Sequence, residues 1–367
     1  MEKIESQAMN VTHYSPGSLQ SLAYDLLRGF GCHDEEAGIV STHLVGANLA
    51  GHDSHGIGML PLYGMNIAAG HLFPNQVPEL FDPVGAVSVV DARLGFGHRM
   101  ALLALDHALK QVPEHKVAIL AMRNSGHVSR LGTYSEYCGR KGYVSIHMVN
   151  VTGHPPLVAP FGARETGFST NPISIGMPHE DGAKPMLDMA TSTIAFGKVR
   201  VANNTGVEVP PGSLIDAEGV ETRDPKPMAE ERIGALAAFG AHKGSGLGIF
   251  VELLTGALGG LGTVASAPEL ENAVINNMFS IIIDPSAFDE PEAVARRVAD
   301  YYDYVREKSP AKGVTQVLMP GDPENISRAK CSKSGIAVDD ETLGQISATA
   351  DSVGLDGTKL VSKLQRM

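Results

Sequence analysis

The middle of the sequence alternates short apolar runs with an amphipathic segment, and this alternation constrains the fold more than any other feature. Val87–Val90 predicts a strand, residues 98–112 predict a helix, and Val117–Met122 is a continuous apolar run of the kind found in strands buried on both faces. Tyr143–Val149 predicts a further strand. Strand–helix–strand alternation is typical of α/β units with crossover connections, so we predict an α/β fold here.

Helical patterns lie on both sides of this region. Leu19–Leu27 places apolar residues at the spacing of one buried helix face, and the chain from about residue 290 onward is helical and charged. We therefore predict a central α/β domain over residues 75–290. Residues 1–74 and 291–367 are expected to form a helical domain together.

Composition and charge exclude several classes of function. The 29 Lys and Arg against 41 Asp and Glu give a net charge of −12, which argues against a nucleic-acid binder. No apolar run is long enough for a membrane span, and the N-terminus lacks a signal-peptide pattern. The three cysteines are far apart and match neither a disulfide framework nor a zinc site. We expect a cytoplasmic protein without a metal.

The sequence lacks the usual nucleotide-binding motifs. Gly95-Phe96-Gly97 follows a strand, but Met100 occupies the third glycine position of a GxGxxG fingerprint, and there is no P-loop. A second candidate is His242–Gly248, at the start of a predicted glycine-rich helix over about 244–262, where free N–H groups could bind an anion. The alternative is that these glycines only allow close helix packing, and the sequence favours neither.

Two histidine-rich clusters are candidates for proton transfer, since histidine titrates near neutrality. One is His52–His55, after a helix end, and the other is Ser125–Arg130, after the apolar strand. Asp188, at the end of a strand, is either a helix cap or a residue that orients a histidine. A serine hydrolase is the rival interpretation. The sequence contains no GxSxG motif, which argues against a hydrolase. We also expect the side chains of adjacent Ser54 and His55 to point in different directions.

The sequence resembles the type-2 malate/L-lactate dehydrogenase family, which also contains cyclic-imine reductases. The matching stretches occur in order over most of the chain: AGHDSHG (50–56), NSGHVSRLG (124–132), VAPFG (158–162), STNPIS (169–174), LDMATS (187–192), AFGKVRVA (195–202) and HKGSGLG (242–248). The resemblance implies a non-Rossmann dinucleotide-binding mixed sheet with flanking helices, in a homodimer. It also implies NAD as the cofactor, with NADP as the alternative.

The resemblance also implies roles for individual residues. Its proton-transfer positions correspond to His55, His127, Ser54 and Asp188, and which histidine donates the proton differs between relatives. Its cofactor-binding positions correspond to His55, Ser129, Arg130, Leu131, Met186, Leu187, Asp188, Met189, Ala190, His242, Lys243, Asn276, Gly321, Asp322, Pro323 and Glu324.

One departure from the family pattern concerns the substrate. Many members read SHGxxRxxxY, in which the arginine can hold a carboxylate, whereas Met59 stands at that position here, before Tyr63. Methionine cannot pair with a carboxylate, so Arg130 or another cation must do so, or the substrate is more apolar. Arg130, Met59 and Tyr63 are the predicted substrate-binding residues, and a bulky or aromatic 2-oxo acid is favoured over malate.

The sequence therefore predicts an enzyme that transfers hydride between NAD(P)H and a 2-oxo acid. Two alternatives remain open at this point. One is a cyclic-imine reductase of the Δ1-piperideine-2-carboxylate type, and the other is a nucleotide-binding protein without catalytic activity.

Overall fold

The computed structural model describes residues 11–178, 185–260, 262–267, 270 and 273–367. The helices are α1 (Pro16–Gly29), α2 (Asp34–Leu49), α3 (Leu60–Ala68), α4 (Gly97–Leu109), α5 (Val112–His115), α6 (Gly132–Arg140), α7 (Phe196–Thr205), α8 (His242–Glu252), α9 (Pro291–Arg306), α10 (Asp322–Ser334), α11 (Asp340–Ser352) and α12 (Gly357–Ser362). The strands are β1 (Val11–Tyr14), β2 (Glu79–Leu80), β3 (Val87–Asp91), β4 (Val117–Ser125), β5 (Val144–Thr152), β6 (Ile173–Gly176), β7 (Met186–Met189), β8 (Leu214–Ile215), β9 (Glu221–Thr222), β10 (Ala235–Leu236), β11 (Ile275–Ile283) and β12 (Ile336–Asp339).

A seven-stranded mixed sheet forms the centre of the protein, in the order β2-β3-β4-β11-β5-β6-β7. Strands β3 and β4 are parallel and α4 connects them, as the alternation of the sequence predicts. Strand β11 pairs antiparallel with both β4 and β5, so it separates two strands that are neighbours in sequence. The predicted α/β class with a mixed sheet is confirmed.

Apolar side chains of α4 and β4 explain why these elements pack together. Met100, Ala104 and Leu105 lie on one face of α4 and are fully buried against Leu120 and Met122 of β4. In the helix, Ala104 and Leu105 follow Met100 by four and five residues, which keeps them on one face of a helix with 3.6 residues per turn. In the strand, Leu120 and Met122 are two residues apart and so lie on the same face of the sheet. This packing fixes the end of β4, from which one histidine loop leaves.

The two ends of the chain share a hydrophobic core. Side chains of α1 and α2 pack with Ile336, Leu343 and Ile346 near the C-terminus. Strand β1 pairs antiparallel with β12, placing Tyr14 opposite Ile336. The sequence does not predict these two strands, since their pairing joins residues at opposite ends of the chain, such as Val11 and Asp339. Helix α9 has no buried residue. The division into domains stays a prediction, although this shared core is compatible with it.

The predicted glycine-rich helix over 244–262 is shorter than expected. Helix α8 ends at Glu252, and Leu253–Leu258 continues as a wider π-helical turn. Within the described residues, no helix is long and apolar enough to cross a membrane.

Candidate active site

Two histidines from separate loops lie face to face. His55 ends a short 3-10 turn after α2, and His127 follows β4. Their ring centroids are 5.5 Å apart and their planes differ by 22°. The Ser129 hydroxyl donates a hydrogen bond to the His55 carbonyl at 3.0 Å and so joins the two loops. The structure therefore brings together the two histidines that the sequence nominates for proton transfer.

Tyr63 of α3 supports His127 from the interior. Its hydroxyl is 2.8 Å from Nδ1 of His127 and 3.4 Å from Nε2 of His98, a fully buried residue in the first turn of α4. His98 is a site residue that the sequence analysis does not nominate. The sequence does contain one indication, because His98 directly follows the Gly95-Phe96-Gly97 turn. A single histidine in an apolar helix is nevertheless usually an ordinary core residue.

Burial keeps both site histidines neutral at physiological pH. Removal from water, with a smaller contribution from the neighbouring His55, lowers the pKa of His127 to about 3. Burial likewise lowers the pKa of His55 to about 4, with smaller contributions from His52 and Arg130. Each ring uses Nδ1 for a contact within the protein, so Nε2 is the nitrogen left to exchange a proton with a ligand.

The expectation that Ser54 and His55 point apart is wrong. The Ser54 hydroxyl lies 3.0 Å from Nδ1 of His55, because the 3-10 turn over Asp53–His55 brings adjacent side chains together. This contact does not make a hydrolase triad. In the described part of the chain, no carboxylate forms a hydrogen bond or ion pair with His55, so the third member of the triad is missing.

Arg130 lies inside a buried ion-pair network. Its side chain is 2% exposed and contacts Glu136 at 2.8 Å and Asp188 at 3.4 Å, and Glu136 also pairs with Arg328 at 2.6 Å. Burial alone would raise the pKa of Glu136, but the charges of Arg130 and Arg328 lower it. With its guanidinium held in this way, Arg130 is poorly placed to bind a substrate carboxylate.

Asp188 caps a helix. Its Oδ2 accepts a hydrogen bond from the backbone N–H of Gly132 at 2.9 Å, at the start of α6. Burial raises its pKa, while the charge of Arg130 acts in the opposite direction. Of the two roles that the sequence left open, this contact is nearer to the cap, although Asp188 comes from β7 and the N-cap residue of α6 is Leu131. The side chain contacts Arg130 and Gly132 rather than a histidine.

Most of the nominated cofactor residues gather around this network. Arg130 contacts Met186 of β7, and the Met186 N–H donates to the Pro320 carbonyl, just before Gly321–Glu324. Glu324 in turn accepts a hydrogen bond from Nε2 of His52 at 3.2 Å. Although burial alone would raise the pKa of Glu324, this hydrogen bond and the charge of Arg130 lower it. Four separate segments thus meet beside the histidine pair.

Two polar atoms at the start of α10 fit a cofactor with ribose hydroxyls and amide groups. Oε2 of Glu324 and Nδ2 of Asn325 are buried, and neither has a hydrogen-bond partner within the described residues. Oε2 of Glu324 is an acceptor on the side chain that contacts His52, so it suits a hydroxyl donor such as a ribose. Nδ2 of Asn325 is a donor at the cavity that Arg306, Leu318 and Asp322 line. Among the described residues, no cluster of three metal-binding side chains is present.

Three other nominated cofactor residues lie apart from this gathering. Asn276 is buried in β11, where its amide oxygen accepts from the Val128 N–H and its amide nitrogen donates to the Asn150 carbonyl. It therefore positions the His127 loop. His242 and Lys243 are exposed at the start of α8. In the described chain, no hydrogen bond, ion pair or ring contact joins them to the histidine pair.

The glycines of α8 have a packing role. A Cβ at Gly244 would lie 2.2 Å from the Phe239 carbonyl, and one at Gly248 would lie 2.5 Å from the Phe168 ring. Both positions therefore require glycine for close approach. This supports the packing interpretation of the motif, while anion binding at His242 and Lys243 stays a prediction.

Comparison with known proteins agrees with the fold and identifies the family. A profile of the malate/L-lactate dehydrogenase family matches residues 14–347. Hydroxycarboxylate dehydrogenase B of Escherichia coli (strain K12) is 38% identical over 355 residues, or 95% of this chain and 97% of that protein. A Δ1-pyrroline-2-carboxylate/Δ1-piperideine-2-carboxylate reductase of Pseudomonas putida is 32% identical, over 89% of this chain and 93% of that protein.

A solved structure gives the same result. The sulfolactate dehydrogenase of Methanocaldococcus jannaschii superimposes with a TM-score of 0.83 at 30% identity, covering 95% of this chain and 99% of that one. The protein is an oxidoreductase of the NAD(P)-dependent hydroxycarboxylate dehydrogenase class. More particularly, the chain belongs to the malate/L-lactate dehydrogenase family.

Proposed function

We propose that this enzyme interconverts a 2-oxo acid and its 2-hydroxy acid, with His127 exchanging the proton at the reacting oxygen. The observation that carries the proposal is the stacked pair of His127 and His55, with Tyr63 bound to Nδ1 of His127. A nicotinamide cofactor supplies or accepts the hydride when bound. Family membership supports this reaction class.

The residues around His127 prepare it for that proton exchange. If Nδ1–H of His127 donates to the Tyr63 oxygen, Nε2 is left unprotonated and accepts the hydroxyl proton of a 2-hydroxy acid. In the opposite direction the imidazolium donates that proton back to the oxygen of the 2-oxo acid as it gains negative charge. The Tyr63 hydroxyl then donates to Nε2 of His98, which holds the phenol in place.

The cofactor would be held by the segments that meet at the Arg130 network. We assign Ser129–Leu131, Met186–Ala190 and Gly321–Glu324 to this role, with Glu324 Oε2 and Asn325 Nδ2 as free polar groups. NAD is the proposed cofactor and NADP the alternative. Equilibrium titration of NADH and NADPH, followed by their fluorescence, separates the two, and the absence of Trp keeps the protein background low.

We further propose a cytoplasmic homodimer. Helix α8 and the turn after it expose Phe250, Leu253 and Leu258, and Phe250 is 63% exposed. Large apolar side chains clustered on one surface are typical of an interface. Light scattering after size-exclusion chromatography measures the mass directly, and a monomer at micromolar concentration would contradict the proposal.

The proposed substrate is a bulky or aromatic 2-oxo acid, because Met59 provides an apolar side chain where many relatives have arginine. The test is NADH and NADPH oxidation with a panel of 2-oxo acids, using wild type, His127→Ala and His55→Ala. We expect His127→Ala to lose about 10²- to 10⁴-fold in kcat, the usual contribution of a general acid–base group. Steady turnover in both single variants would refute the assignment.

Cyclic-imine reduction is a second candidate function, favoured by the 3.0 Å contact between the Ser54 hydroxyl and Nδ1 of His55. These two residues match the proton-relay positions of imine-reducing relatives, although Asp188 caps α6 instead of joining them. Comparing turnover of a 2-oxo acid, the same acid with methylamine, and a cyclic imine distinguishes the functions. Faster turnover of the imine would favour the reductase.

A further inference from the structure

A 2-oxo acid needs a cation for its carboxylate, and the two obvious positions do not provide one. Met59 is apolar and packs partly against the N-terminal core. Arg130 is buried in ion pairs with Glu136 and Asp188. If the proposed function is correct, another basic side chain must therefore face the histidine pair.

The start of α7 lies against the Ser54 side of the site. A Cβ built on Gly197 would be 3.3 Å from the Cβ of Ser54, so the helix backbone directly contacts the serine whose hydroxyl lies beside His55. Val199 and Ala202 form the buried face of α7. The face that carries Gly197 is the one turned toward Ser54.

Arg200 lies on that same face, one turn after Gly197. Residues three apart on a helix are neighbours, with Cβ atoms about 5–6 Å apart. Helical side chains also lean toward the N-terminus, so Arg200 extends over the turn that contains Gly197. Arg200 is exposed, so its guanidinium is free to extend along that face.

A second arginine lies close to the first. The Arg232 guanidinium is 3.9 Å from the centroid of the Phe196 ring, at the beginning of α7. Burial lowers the pKa of Arg232, and the positive charge of Arg200 lowers it further, so the two guanidinium groups are near neighbours.

Neither of these arginines has an acidic partner in the part of the chain that the structure describes. Within the described residues, no carboxylate forms an ion pair with Arg200 or Arg232, whereas nearby Arg223 pairs with Glu208 at 2.8 Å. Two like charges placed together without a carboxylate repel each other. An anionic ligand between them would remove that cost.

We propose that Arg200, assisted by Arg232, binds the carboxylate of the 2-oxo acid. It would take the role of the arginine that many family members have at the position of Met59. This inference rests on the proposed function. It assigns a binding role to Arg200, which lies in the motif AFGKVRVA (195–202). It also places the positive charge on the Ser54 side of His55.

The test uses phenylpyruvate as the probe and its methyl ester as the uncharged analogue. We expect Arg200→Ala to raise KM for the acid about tenfold or more, as for loss of a charge-assisted hydrogen bond, with a smaller change in kcat. KM for the ester should stay within about twofold, and Arg200→Lys should recover part of the loss. The dissociation constant of phenylpyruvate for enzyme saturated with oxidised cofactor, where no turnover occurs, should rise in parallel.

The controls separate this inference from simpler outcomes. Arg296→Ala removes an exposed arginine of α9 and should leave KM unchanged. If the ratio of KM for the acid to KM for the ester is the same in wild type and in Arg200→Ala, the inference is overturned. The proposed function would be left intact. A rise in the dissociation constant of NADH without a change for phenylpyruvate would overturn it too, in favour of a cofactor contact. No turnover of any 2-oxo acid by wild type would instead refute the proposed function.

Discussion

The Tyr63 hydroxyl lies 2.8 Å from Nδ1 of His127, although 64 residues separate the two in sequence. Tyr63 comes from α3, in the N-terminal core, and His127 comes from the end of β4, in the central sheet. The contact therefore joins the two parts of the fold at the proposed proton-transfer site. It fixes the orientation of the imidazole and determines which nitrogen is available.

Replacing this tyrosine should impair catalysis more than binding. In Tyr63→Phe, Nδ1 of His127 loses its partner, so the ring can rotate away from the reactive position. We expect kcat to fall about 10- to 100-fold, less than on removal of the acid–base group itself, while KM changes little. Steady-state kinetics measures both. A variant that raises KM and keeps kcat would instead indicate that Tyr63 only contacts the substrate.

The low pKa values of the histidines predict an unusual pH dependence. His127 is neutral in the free enzyme above about pH 3 and His55 above about pH 4. The base needed to oxidise a 2-hydroxy acid is therefore already present at pH 5. We expect kcat/KM for oxidation to show no inflection near pH 6.5 in a profile from pH 5 to 8. A tenfold decline below pH 6.5 without loss of fold would contradict this.

The sequence predicts the elements of the central sheet, but not how they are ordered. Local apolar runs predict β3, β4 and β5 because each is continuous or alternating. The insertion of β11 between β4 and β5 depends on pairing across more than 120 residues, which no local pattern encodes. The site shows the same limit. Both histidine loops are recognisable from composition, whereas their stacking depends on tertiary packing, in which α4 contacts both α2 and β4.

The ion-pair environment of Arg130 could not be inferred from the sequence. Its partner Glu136 is six residues away, outside the i+3 and i+4 spacing of helix ion pairs, and Arg328 is 192 residues from Glu136. The local sequence indicates only a polar residue in a loop after a strand. Burial of the guanidinium is set by β7 and α10, which come from distant parts of the chain.

Loss of Arg130 should destabilise the protein. In Arg130→Met the buried Asp188 loses its cationic partner, and Glu136 keeps only Arg328. Removing one member of a buried ion pair typically costs about 3–5 kcal/mol, and the remaining Arg328 should reduce this toward the lower end. Urea unfolding followed by circular dichroism measures the change in the free energy of unfolding.

The kinetics of the same variant test the substrate-binding role predicted from the sequence. At a temperature where Arg130→Met is folded, we expect KM for phenylpyruvate to change much less than in Arg200→Ala. Arg328→Met is a suitable comparison because it removes the other cation at Glu136 and leaves Arg130 in place. A stable Arg130→Met with a tenfold higher KM for the acid, but not for its ester, would restore Arg130 as the carboxylate ligand.

Buried histidines should also make the fold sensitive to mild acid. His147 is fully buried in β5, with Nδ1 2.8 Å from the Ser280 hydroxyl, and burial lowers its pKa to about 3. In the unfolded chain a histidine titrates near 6.5. Between these two values the unfolded state binds the extra proton, so stability is full above pH 6.5 and falls as the pH decreases toward 3. One such group contributes a slope of about 1.4 kcal/mol per pH unit within that range.

The variant His147→Gln isolates this contribution. Glutamine can still bond to Ser280 but does not titrate, so the free energy of unfolding should depend less steeply on pH between 4 and 6, by up to about 1.4 kcal/mol per unit. Urea unfolding at several pH values, followed by far-ultraviolet circular dichroism because the protein has no Trp, gives the slopes. His115→Gln, at an exposed position, should keep the wild-type slope. Equal slopes in wild type and His147→Gln would show that His147 is not buried as a neutral group.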